Sequence, residues 1–250
     1  MKWERLSKLY GTIDLRVAEH ISSKDVQQGC LSDSYLIPLL GYVANNFPRQ
    51  IERLFSTKNV NSNGIYALRL LVEGNYTTVV IDDYMPYNPH NDKLIYAQKV
   101  TKNIWPILLE KAIAKVKGSY EDIEADALNL FSYILPYTLE THINDAEITE
   151  KEVKWNQIQT KLDENCVLIG STYSEEDENL TYEEVGLKKQ HHYLITNSYY
   201  LDDGTKILKI VNHHYLKQNW EGQWSDTDLR WSKSNKRIVD FDNRLPGEFF

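Results

Sequence analysis

Between residues 35 and 47 the apolar positions Tyr35, Leu36, Leu39, Leu40, Tyr42, Val43 and Phe47 recur at helical spacing. Asp33 or Ser34 is placed to cap this helix, Pro38 falls in or just past its first turn, and Asn45, Asn46 and Pro48 predict its end. The period then shortens to two. Residues 64–71 alternate as a strand, residues 75–81 are β-branched, and Glu73-Gly74-Asn75 is the turn of a hairpin that ends at Asp82, Asp83, Met85 and Pro86. Residues 105–116 predict a second helix, with Pro106 in its first turn and Gly118 past its end. Residues 119–165 read as mostly helical and polar. Strands follow at 166–172, 192–198 and 207–211, with an exposed acidic loop at 174–184 and a hairpin turn at Asp202-Asp203-Gly204. Residues 1–27 read as a polar arm. Helices early and strands late predict an α+β protein of two lobes, residues 1–125 and 126–250, the second β-rich.

Composition narrows the function classes. With 250 residues and 42% hydrophobic composition the chain can bury a sizeable core. No apolar run approaches the ~20 residues of a membrane span, and Met-Lys-Trp-Glu-Arg-Leu lacks the apolar stretch of a signal peptide. An intracellular protein is therefore expected. A net charge of −8 argues against a nucleic-acid partner, which needs a basic stripe. Two cysteines, Cys30 and Cys166, are too few for a disulfide scaffold, and Cys30 is expected to be a half-buried thiol.

Residues 28–36 read Gln-Gly-Cys-Leu-Ser-Asp-Ser-Tyr-Leu. This resembles the calpain signature Gln-Gly-x-Leu-Gly-Asp-Cys-Trp-Leu, matching at Gln28, Gly29, Leu31, Asp33 and Leu36. The cysteine has become Ser34, the glycine Ser32 and the tryptophan Tyr35. A longer match follows. Asp82-Asp83-Tyr-Met-Pro, then Trp105-Pro-Ile-Leu-Leu-Glu-Lys-Ala-Ile-Ala-Lys-Val-Lys-Gly-Ser-Tyr-Glu, is similar to the calpain pattern nearly residue for residue. Gly186-Leu-Lys-Lys-Gln-His191-His192-Tyr193 resembles Gly-Leu-x-x-x-His-Ala-Tyr. Ile210-Val-Asn212, followed by Trp220-Glu-Gly-Gln-Trp224-Ser-Asp226, resembles the last motif, with His213-His214 where the family has Pro-Trp. The resemblance spans about residues 20–250. The family continues past Gly247-Glu-Phe-Phe, so the second lobe reads as incomplete and the chain as a piece of something longer.

The resemblance implies a papain-like two-lobe fold with a cleft between the lobes, and a set of catalytic positions. Ser34 stands at the nucleophile position, His191 at the proton-transferring histidine, Asn212 at the residue orienting that imidazole, and Gln28 at the oxyanion donor. It also implies calcium, held through carboxylates and carbonyls. Asp25 and Glu110 match the acidic ligands of the first lobe, and Asp226 and Glu248 those of the second. Asn219 and Pro246 replace two further acids, which marks the second site as weakened. Zinc at His191, His213 and His214 is disfavoured, since adjacent strand residues point to opposite faces and no cysteine pair completes a site.

Two readings of Ser34 stand side by side. In one the chain is a pseudoprotease, acting as a structural or protein-binding module in a larger assembly. Its partner would be a protein or peptide in the interlobe cleft or on the surface, by analogy in a cytoskeletal or ciliary complex. In the other it is an active calcium-dependent cysteine endopeptidase whose nucleophile was mutated to serine. The departures at Ser32, Tyr35, His213, His214, Asn219 and Pro246 favour natural decay, and the retained His191 and Asn212 favour the alternative.

Overall fold

A computed structural model of the chain describes residues 1–30, 36–125, 127–134, 151–172, 182–212, 220–244 and 247–250. Two compact units divide it, Met1–Thr138 and Leu139–Phe250.

In chain order the first unit carries β1 (Lys2–Arg5), α1 (Leu6–Tyr10), α2 (Leu36–Asn46), α3 (Pro48–Leu54), β2 (Ile65–Val72), β3 (Asn75–Asp82), β4 (Tyr84–Asn88), β5 (Lys93–Leu94), α4 (Trp105–Lys117) and α5 (Glu121–Ala125). Short 3-10 turns lie at Ser23–Asp25 and Ala127–Tyr133. The expected hairpin is β2–β3, with Ile65 opposite Asp82 and Val72 opposite Asn75. Glu73 and Gly74 both have positive φ, which gives a two-residue turn whose twist matches that of the strands.

The expected helices are α2 and α4. Leu36, Leu39, Leu40 and Val43 are buried, as their spacing requires. α4 buries Trp105, Leu108, Leu109, Ala112 and Ile113. Its backbone ends where the Gly118 N–H bonds the Ala114 carbonyl, with Gly118 at φ 121°. The proposed caps of α2, Asp33 and Ser34, lie outside the described residues.

One expectation needs correction, and two expected boundaries hold while carrying more structure than the sequence showed. Residues 1–27 are part of the fold rather than an arm. β1 pairs with β4, and Leu6, Leu15 and Val17 are buried in the core. Arg5 Nε donates to Asp83 Oδ1 at 2.8 Å, while the Leu6 N–H bonds the Asp83 carbonyl. Pro48 ends α2 but also opens α3, because a first-turn residue has no helical use for an N–H. β3 ends at Asp82, as expected, and Met85 and Pro86 belong to a further strand. They lie inside β4, where the Pro86 carbonyl accepts from the Ile95 N–H.

The second unit carries α6 (Lys151–Asp163), β6 (Leu168–Ser171), β7 (His192–Tyr200), β8 (Lys206–Val211), α7 (Lys233–Ile238) and β9 (Glu248–Phe249). The strands form one antiparallel sheet in the order β6-β7-β8-β9. The turn at Asp202-Asp203-Gly204 joins β7 to β8, with Gly204 at φ 82°. α6 packs on β7, and Trp155 Nε1 donates to the Tyr200 hydroxyl at 2.7 Å. A second cluster buries Leu201, Ile207, Trp231, Val239, Phe241 and Phe250, with Tyr199 and Trp224 packed against it. Only residues 182–184 of the expected acidic loop are described.

Candidate active site

The oxyanion candidate sits in the first unit on a segment pressed against the stretch after β5. The Gln98 N–H bonds the Gln27 carbonyl, and the Cys30 N–H bonds the Ile95 carbonyl at 2.8 Å. Between them a Cβ on Gly29 would lie 1.9 Å from the Tyr96 carbonyl oxygen, so no other residue fits without moving backbone. This is the physical reason for Gly29 in the motif, and it places Gln28 in a buried position. Cys30 is exposed rather than half-buried, because the segment is held by its backbone and the thiol turns outward. Ser34, Ser32 and Tyr35 lie outside the described residues.

The long motif around α4 is explained by structure. Asp82 pairs with Lys111 Nζ at 2.6 Å and Asp83 with Arg5. Glu110 Oε2 accepts the buried Ala97 N–H at 2.7 Å. Trp105 Nε1 donates to Asp25 Oδ2 at 2.8 Å.

In the second unit the histidine and asparagine positions come together. His191 Nε2 lies 3.2 Å from Asn212 Oδ1, with the residues 5% and 2% exposed. The sheet brings this about. His191 precedes β7, Asn212 follows β8, and the two strands are antiparallel, so both lie at one end. Near the turn the register pairs Asn197 with Lys209. At the site end it pairs Leu194 with Val211, after a bulge between Ile195 and Asn197. Carried to the site without that bulge, the register would set Asn212 opposite Leu194, on the other face from His191. With it, Asn212 falls opposite Tyr193 and diagonal to His191 on one face.

The backbone approach to His191 is pinned as well. Its N–H donates to Thr172 Oγ1 at 3.0 Å, and the Thr172 hydroxyl donates to the Lys188 carbonyl at 2.6 Å. The Tyr193 hydroxyl accepts the Lys188 N–H, and the Tyr193 ring meets that of His191 edge-on. The Asn212 N–H bonds the Gly247 carbonyl. Sequence reading did not single out Thr172. Its place beside His191 arises only from the pairing of β6 with β7.

Burial lowers the pKa of His191. The Asn212 hydrogen bond opposes that and the Lys188 charge adds to it. The ring is therefore neutral at neutral pH. An Asn212 oxygen accepting from Nε2–H selects the tautomer whose Nδ1 carries the basic lone pair. That is the form able to take a proton from a nucleophile on its Nδ1 side. Next to it, burial and the neighbouring His191 push His192 down to about 4, and its Nδ1 lies 2.6 Å from Ser171 Oγ.

The calcium candidates do not fit a metal site in this arrangement. Calcium takes six to eight oxygens. Asp25, 2% exposed, already accepts from Ser22 N, Thr101 Oγ1, Asn103 Nδ2 and Trp105 Nε1. Glu110 holds the Ala97 N–H. Asp226 pairs with Arg244 at 2.5 Å, and Glu248 with Lys209 at 2.8 Å. Among the described residues no group of three or more His, Cys, Asp and Glu is placed to hold a metal ion. His213, His214, Asn219 and Pro246 lie outside the described residues. Among those described, no helix is long and apolar enough to cross a membrane.

Comparison with known proteins agrees with the motifs. A family model described as calpain family cysteine protease matches residues 1–250. The chain is 31% identical over 232 residues to Calpain-A of Drosophila melanogaster, covering 85% of this chain and 26% of that protein. It is 24% identical over 261 residues to Calpain-13 of Rattus norvegicus, covering 100% and 38%. It is 27% identical over 221 residues to the calpain-type cysteine protease ADL1 of Oryza sativa subsp. japonica, covering 86% and 10%. It thus spans well under half the length of these relatives. With an α+β fold, a buried His191–Asn212 pair and a family match along its whole length, this chain belongs to the calpain family of cysteine proteases.

Proposed function

We propose that this chain is a calpain-type protease core that no longer cleaves peptides and serves instead as a protein-binding module. The observation that carries the reading is the serine at position 34, where the family signature has its cysteine. A thiolate is the nucleophile in this chemistry, and a helix N-terminus and an imidazole stabilise it as an anion. A serine hydroxyl ionises far less readily, and a histidine whose pKa is pushed down by burial is a weak base for it. Rate falls tenfold for each ~1.4 kcal/mol of lost transition-state stabilisation, so a loss of several decades follows. What remains is a folded surface for a protein or peptide partner in a larger intracellular assembly, with a cytoskeletal or ciliary one favoured by analogy.

A specific observation favours a second reading. The His191–Asn212 pair is buried and in hydrogen-bonding contact, the arrangement an active core needs. In that reading Ser34 is the sole lesion in an endopeptidase.

The test has two arms. The unmodified protein is incubated with denatured casein, and a Ser34→Cys variant is treated with a thiol-reactive peptide epoxide, read by peptide mass spectrometry. The exposed Cys30 reports background labelling. The pseudoprotease reading expects no cleavage, and labelling at position 34 no faster than at Cys30. Cleavage by the unmodified protein that His191→Ala abolishes would overturn it. Fast, His191-dependent labelling of the variant would establish the second reading.

A further inference from the structure

In the second unit, the acids at the calcium-ligand positions of the family are held by cations from the chain itself. Arg244 is the centre of this arrangement. Its Nη1 donates to Asp226 Oδ1 at 2.5 Å and approaches the Glu248 carbonyl at 3.5 Å, while its Nε donates to the Phe241 carbonyl at 2.9 Å. One carboxylate and two backbone carbonyls thus converge on the guanidinium. These are the ligand types a hard divalent cation collects. The group is also seated by packing. Cζ lies 3.9 Å from the centre of the Phe241 ring and 5.6 Å from that of Phe250, where an aromatic face attracts a cation. The Arg244 side chain is 15% exposed.

The second acid is taken in the same way. Lys209 Nζ lies 2.8 Å from Glu248 Oε2, both side chains largely buried. Among the described residues each acid therefore has a cation of its own, Arg244 for Asp226 and Lys209 for Glu248. A calcium ion entering here would bring two positive charges beside two cations, and would displace a bonded guanidinium to reach the Asp226 oxygen and the two carbonyls.

We propose that Arg244 and Lys209 are resident cations that replace calcium in the second unit, so that β9 and the loop from Trp220 are held to β8 without metal. The inference does not depend on whether position 34 is catalytic. It makes this part of the fold insensitive to a signal that the family resemblance would otherwise predict.

The experiment is hydrogen–deuterium exchange on the full chain, read on peptides covering residues 220–250, in EDTA and in calcium at about 1 mM, the weak end of protein calcium sites. The unmodified protein is expected to exchange identically in the two. Arg244→Gln is expected to speed exchange in these peptides by about tenfold, equivalent to about 1.4 kcal/mol. In the Arg244→Gln/Lys209→Gln double variant, with both cations removed, calcium is expected to slow exchange again. Slowing of exchange by calcium in the unmodified protein, unmatched by equal magnesium, overturns the proposal. So does unchanged exchange in Arg244→Gln. Should the neutral variants fail to fold, Arg244→Lys keeps the charge but loses the fork, and is expected to loosen the same peptides. The comparison in the unmodified protein needs no variant.

Discussion

Replacing Asp25 by asparagine changes one atom in the first unit and leaves the shape of the side chain intact. Asp25 Oδ1 accepts from Thr101 Oγ1 at 2.6 Å and from Asn103 Nδ2 at 3.1 Å. Its Oδ2 accepts from the Ser22 N–H at 3.1 Å, from Asn103 Nδ2 at 3.1 Å and from Trp105 Nε1 at 2.8 Å. An asparagine must turn its NH2 to one of these sides. On the Oδ2 side it meets three donors. On the Oδ1 side it meets a threonine hydroxyl, which can rotate to accept, and the Asn103 amide, which as placed cannot. The second choice costs less. It leaves one buried donor unsatisfied, at about 1–3 kcal/mol, and removes charge assistance from the bonds to Ser22 and Trp105, at about 1 kcal/mol each. The sum is about 3–5 kcal/mol, a fall in Tm of roughly 10 °C for a protein of this size. Thermal and urea unfolding in EDTA, followed by tryptophan fluorescence, measure it. If Asp25→Asn lies within about 1 kcal/mol of the unmodified protein in EDTA, and differs only when calcium is added, then Asp25 is a metal ligand and the structural role assigned to it is wrong.

Two further outcomes follow from the second unit. Asn212→Ala removes the hydrogen bond that favours imidazolium, so the pKa of His191, already lowered by burial, is expected to fall further; an NMR titration of the histidine Cε1–H signals showing no change or a rise would refute this. His192 titrates at about 4 when folded, against about 6.5 when unfolded. The unfolded chain therefore binds more protons between these values, and stability is full above pH 6.5 and declines as pH falls towards 4. After discounting for solvent screening the loss is of order 1 kcal/mol. It is read as the difference between the urea-unfolding stabilities of unmodified and His192→Gln proteins across that window, and curves that stay parallel would remove the assignment.

Much of the first unit is determined by local pattern. The helical spacing of Leu36, Leu39, Leu40 and Val43, the two-residue turn at Glu73-Gly74 and the Pro106-to-Gly118 frame of α4 all act over a few residues. Backbone geometry and one-sided burial are enough to specify them. The family motifs likewise marked His191, Asn212 and Gln28 without coordinates. What the sequence did not show were contacts between distant residues. Residues 1–27 look like a polar arm because Arg5 meets Asp83 only in the folded chain. Pro48 and Pro86 carry the same local signal, yet one opens a helix and the other lies inside a strand, because their partners are elsewhere.

The site separates the two kinds of information most sharply. Sequence placed His191 and Asn212 in one motif set. Which face of the sheet Asn212 occupies depends on one extra residue in β7, and a bulge is a property of paired strands that neither strand states alone. The same holds for the acids. Asp25, Asp226 and Glu248 read as calcium ligands by position, since a carboxylate looks alike whether it awaits a metal or a partner in its own chain. Only the tertiary structure brings Trp105 and Asn103 to Asp25, Arg244 to Asp226 and Lys209 to Glu248, because a carboxylate's role is set by which donors the fold carries within about 3 Å of it.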